Sequence, residues 1–109
     1  KMQHNDIVKK IIEEQSLIIG KNLAWSRAVT VSQIQSEAGQ TVTPPTINIS
    51  NIQITGDPKE AIDKLIQSYA EIFGQTSVNV CLDVLKKLPY SEIEPYLSES
   101  VKKQLTLSK

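Results

Sequence analysis

The chain has 109 residues, of which 39% are hydrophobic and 22% charged, the balance of a sequence that can bury a core without a metal or disulfide staple and unlike that of a disordered segment. Twelve Lys and Arg cancel twelve Asp and Glu, and basic residues cluster only as Lys9-Lys10, Lys86-Lys87 and Lys102-Lys103, so a nucleic-acid partner is not expected. The single cysteine, Cys81, cannot form an intrachain disulfide, no apolar run approaches the roughly 20 residues of a membrane span, and no signal-peptide pattern opens the chain. These features read as a cytoplasmic protein with no membrane span, organised as one small domain over 1–109.

Residues 1–19 carry Ile7, Val8, Ile11, Ile12, Ile18 and Ile19 at three- and four-residue steps, the spacing of a helix with one apolar face, and Asn5 or Asp6 can cap its start. Gln15 falls inside that stripe. There an amide either finds a buried partner and sets the register between helices, or lies at the margin of the stripe and reaches water; the usual exposure of glutamine favours the second. Leu23, Ala24, Trp25 and Ala28 continue the spacing beyond Gly20, so the expectation is one long helix running to about residue 28 with the glycine inside it, at a cost of about 1 kcal/mol against alanine. Trp25, the sole tryptophan, reads as a core anchor before an interface residue.

Residues 29–34 alternate briefly, Val-Thr-Val-Ser, and predict a short strand. Residues 35–46 hold Ser, Gly, Gln, Thr and the pair Pro44-Pro45, and read as a mobile loop because proline removes backbone donors and restricts the residue before it. Residues 46–55 are β-branched, with Ile47 and Ile49 on one parity and Ile52 and Ile54 on the other, so a strand there needs a bulge near Ser50-Asn51 or cover on both faces. Its pairing partner is either the 29–34 segment or the same strand of another subunit.

The clearest signals lie in 57–88. Asp57-Pro58-Lys59-Glu60 joins a capping carboxylate, a proline with preset φ and a glutamate that can reach back. Ala61, Ile62, Leu65, Ile66, Tyr69, Ala70 and Phe73 then recur on one face, and Gly74 supplies the stop. Lys59 with Asp63 and Glu60 with Lys64 decorate the solvated face at four-residue spacing. A second helix, capped by Thr76 or Ser77, carries Val78, Val80, Cys81, Leu82, Val84, Leu85 and Leu88 around most of its circumference. It reads as a buried spine that other elements must wall in. Beyond Pro89, Ser91-Glu92-Ile93-Glu94 looks like a capping box, Pro95 forces a short 3-10 turn or a helix restarted near Pro95 or Ser98, and Val101, Leu105 and Leu107 can lie against the core.

The expected fold class is therefore α+β and predominantly helical: a long N-terminal helix, a small β-ribbon (about 29–34 and 46–55), then two or three C-terminal helices. No catalytic constellation appears. His4 is the only histidine and sits at a terminus, Cys81 lies among apolar residues, and the pairs Glu13-Glu14 and Glu92-Glu94 fit a solvated face and a cap. Ligand spacing for zinc is absent, as are the nucleotide-binding glycine motifs, so no metal, no cofactor and no enzymatic activity are expected. The leading reading is a non-catalytic protein-protein interaction or oligomerisation domain, a homodimer favoured, with Ile7, Ile11, Gln15, Ile18, Trp25, Ile52 and Ile54 as candidate interface residues. The alternative is a small regulatory ligand-binding domain with an apolar pocket walled by Trp25, Tyr69, Phe73 and Tyr90.

Overall fold

The Asp57-Pro58 signal begins a helix as its chemistry dictates: the Asp57 carboxylate accepts from the Lys59 amide at 3.0 Å, Pro58 occupies the first turn, and the helix runs to Phe73 before Gly74 turns the chain at φ 62°. The structure, a computed structural model, describes residues 3–31, 34–36 and 52–107. Among them are α1 (His4–Ile19), α2 (Lys21–Ala28), α3 (Pro58–Phe73), α4 (Gln75–Lys86), α5 (Tyr90–Ile93) and α6 (Glu99–Leu107), with a 3-10 turn at Glu94–Tyr96.

The fold is helical, and the expected α+β class with its β-ribbon is corrected. Residues 29–31 close the end of α2: the Val29 amide donates to the Trp25 carbonyl at 3.0 Å and the Val31 amide to that of Ala28 at 3.1 Å. Backbone donors that a strand needs are thereby taken up locally. What extended pairing the described residues hold is β1 (Ile34–Ser36) antiparallel to β2 (Ile52–Ile54), with Ile34 opposite Ile54, three residues a side. Such a ladder is too short to form a layer. The loop expected at 35–46 begins inside β1, which takes in Gln35 and Ser36; its remainder at 37–46, the alternation at 46–49 and the bulge near 50–51 lie outside the described residues.

The long helix through Gly20 is also corrected. Gly20 adopts φ 91°, ψ 151°, which ends α1 and starts α2 without a side-chain cap. No L-residue sits comfortably there, and the break lets Ala24, Trp25 and Ala28 fold back onto the core, where all three are buried. At the other end of α1 the cap is Gln3, whose backbone amide donates to Asp6 Oδ2 at 3.2 Å, two residues before Asn5 and three before Asp6.

α4 is the spine the pattern implied along the side facing α1 and α3: Cys81, Leu82, Val84 and Leu85 are buried. Val78 and Val80 remain half-buried, because only part of its circumference is covered. Past α4, Pro89 caps the single turn of α5, Pro95 enters the 3-10 turn, and Ser98 restarts the helix by accepting from the Val101 amide at 3.2 Å. Ser98 also donates to Asp63 Oδ1 at 2.7 Å, tying the start of α6 to α3. Across the core the Tyr69 hydroxyl donates to the Ala24 carbonyl at 2.8 Å, and Arg27 donates to the Ser68 carbonyl at 3.1 Å and to Glu71 at 2.7 Å, so α2 is fastened to α3 at three points. Burial drives the Tyr69 phenol far above its ordinary pKa, keeping it a neutral donor.

Candidate functional site

The candidate interface residues divide between the interior and the surface. Ile7, Ile11, Gln15 and Trp25 lie in the core and offer no face to a partner. Ile18 is 59% exposed, Ile54 is half-buried against the core, and the side chain of Ile52 lies outside the described residues. The four aromatics expected to wall a pocket do not converge either. Trp25 and Tyr69 are interior, Phe73 is 43% exposed at the α3–α4 corner, and Tyr90 is exposed beside α6.

Gln15 is fully buried rather than marginal. Its Nε2 donates to the Ser77 carbonyl at 3.0 Å and reaches Cys81 Sγ at 3.4 Å, while Oε1 has no partner among the described residues. An apolar-stripe position on α1 therefore fixes α1 against α4 by a polar contact, the register role that a buried amide can serve. Burial pushes the Cys81 thiol up to about 11, so at neutral pH it is a protonated, enclosed group and not a nucleophile.

On the outer side of the same helix pair the chain leaves a surface. One end is a groove of about 210 Å³ lined by Ile18, Ile19, Phe73, Thr76, Ser77 and Val80. Further along, a groove of about 440 Å³ is lined by Lys10, Glu13, Glu14 and Leu17 of α1 with Val84, Lys87 and Leu88. The end of α1 meets the beginning of α4 in the first, and the middle of α1 meets the end of α4 in the second. The two helices thus run antiparallel; the second groove follows their outer seam, and the first lies at its end, where Ile18 and Ile19 close the apolar stripe of α1. Leu17 is 83% exposed, and Ile72 is 46% exposed beside Phe73. Sequence reasoning passed over Leu17, although a leucine off the apolar stripe of an amphipathic helix was the available signal. It also passed over Lys87, which only the fold brings to α1.

A third groove, of about 440 Å³, lies between the end of α4 and α6, lined by Leu85, Lys86, Leu88, Tyr90, Lys102, Leu105 and Thr106. Its Lys102 donates to Glu94 at 2.8 Å and reaches Glu99 at 3.4 Å; the hydrogen bond holds the Glu94 carboxyl below and the Lys102 ammonium above their ordinary ranges. His4 packs its ring on Tyr96 at 5.4 Å. Among the described residues no group of three or more His, Cys, Asp or Glu is placed to hold a metal ion, and no helix is long and apolar enough to cross a membrane. No family model, curated protein or solved structure matches the chain.

Proposed function

We propose that the chain is a non-catalytic interaction domain that acts by self-association, a homodimer being the favoured state, and that its contact face is the outer seam of α1 and α4. One observation carries this reading. Large apolar side chains, Leu17, Ile18, Ile72 and Phe73, stay exposed around the C-terminal ends of α1 and α3, and Ile18 and Phe73 share a groove that no charged residue lines. Scattered surface leucines need no explanation, but apolar residues gathered around a concavity favour a protein contact. Sedimentation velocity over a micromolar to millimolar series tests it: wild type shows concentration-dependent association, and the Ile18→Asp/Phe73→Ser variant, altered only at exposed positions, shows less. A wild-type chain that stays monomeric across the series overturns the reading.

The alternative, a ligand-binding domain, is favoured by the Tyr90 groove alone, whose volume falls in the range of small-molecule sites and whose floor of Leu85, Leu88 and Leu105 is apolar. Its ligand would be an apolar molecule with an acidic group, and it rests on Tyr90 and Lys102 rather than on the four aromatics together.

A further inference from the structure

The seam holds charges of both signs that do not meet. Lys10, Glu13, Glu14 and Lys87 line one groove, yet none of them forms an ion pair or side-chain hydrogen bond with another described residue. Elsewhere Lys64 pairs with Glu60, Lys86 with Asp83 and Lys102 with Glu94 and Glu99. One turn beyond Glu13 and Glu14 stands Leu17, the most exposed large apolar side chain among the described residues. The groove is therefore neutral in sum, with Lys10, Glu13 and Glu14 giving its α1 side a net negative charge and Lys87, just past the end of α4, making the opposite side positive.

From this pattern, and resting on the interaction reading above, we propose that the occupant of the groove is the same groove of a second copy, related by a two-fold axis running along the seam. Such an axis lays α1 of one copy over α4 of the other at the same level. Glu13 and Glu14 then face Lys87 of the partner subunit, and the partner's Glu13 and Glu14 face Lys87, so both pairings form at once, as a two-fold interface requires. Leu17 enters the groove of the second copy on its Val84 side, and the apolar ends at Ile18 and Val80 meet in the same way. Neither copy brings a net charge that opposes the approach, since the chain as a whole is neutral.

The size of the face sets the strength. α4 has 12 residues and is about 18 Å long, and two helices side by side span about 20 Å. The flat area is a few hundred Å² per copy, below the roughly 800 Å² of a standard interface. A weak dimer, dissociating in the micromolar range or above and loosened further by salt, is the expected product.

Complementary charge reversal tests it. Lys87→Glu makes the groove acidic and Glu13→Lys/Glu14→Lys makes it basic; Glu13 and Lys87 are exposed and Glu14 is half-buried, so circular dichroism is expected to be unchanged. Each variant alone dimerises about tenfold or more weakly than wild type in sedimentation equilibrium, because like charges now face each other, and an equimolar mixture of the two recovers association. If wild type dimerises and neither variant weakens it, the groove is not the contact; the proposal is overturned while the interaction reading stands on another face. If both variants weaken but their mixture does not recover, the charges do not pair across copies, and the proposal is again overturned. A monomeric wild type removes this proposal and the reading beneath it together.

Discussion

The two sides of the α1–α4 pair are built from the same kinds of residue and treat them in opposite ways. On the inner side the polar Gln15 is fully enclosed and bonded to Ser77 and Cys81; on the outer side Leu17 stands in water among unpaired charges. Polar inside and apolar outside is the reverse of what burial alone selects. The inner inversion is answered within the chain by a hydrogen bond that fixes how the helices meet. The outer one has no answer among the described residues, and the proposed association between copies would supply it.

The inner side breaks most readily. Gln15→Glu removes the donor that faces the Ser77 carbonyl and puts an ionisable group in a closed apolar space, so it is expected to destabilise by about 3–5 kcal/mol in urea denaturation. Alkaline pH acts on the same spot more gently. The folded-state pKa of the Cys81 thiol, raised to about 11 from an ordinary value of 9.0, lies above that of the unfolded chain. Its contribution is fully present below pH 9 and is lost as pH rises from there through about 11, a fall of roughly 2–3 kcal/mol, with Tyr69 adding a loss in the same direction from its ordinary value of 10.0 upward. Melting curves between pH 8 and pH 11 measure it, and a flat profile contradicts an enclosed thiol. Gln15→Met is smaller again. It loses one hydrogen bond but also removes the unpartnered Oε1, two terms of about 1 kcal/mol that oppose each other, so stability changes by less than about 1 kcal/mol.

How much of this arrangement was legible depended on whether a signal was local. The start at Asp57-Pro58 and the stop at Gly74 are local chemistry, and α3 lies where they put it. Gly20 has the same chemistry as Gly74, but the spacing of Leu23, Ala24, Trp25 and Ala28 carries on that of Ile19 across it, so α1 and α2 read as one helix. The Val29-Thr30-Val31 alternation suggested a strand because the competing hydrogen bonds to Trp25, Arg27 and Ala28 depend on α2 ending there. Ile11 and Ile18 share one stripe, yet one is buried and the other 59% exposed, since Ile18 lies at the end of α1, where its neighbours no longer cover it. Where a neighbour stops is a property of the whole fold and leaves no mark on the stripe. Gln15 was misplaced for the same reason: its partners lie 62 and 66 positions away.

The outer side is where a substitution should do least to folding and most to association. Leu17→Ser touches no buried surface, so its melting temperature should match wild type to within the equivalent of about 0.5 kcal/mol. Sedimentation equilibrium of Leu17→Ser beside wild type at equal concentration is the most direct measurement: a concentration-dependent dimer is expected for wild type and a monomer for the variant. Equal dimerisation of the two, or a wild-type chain that never leaves the monomer, contradicts the proposed association.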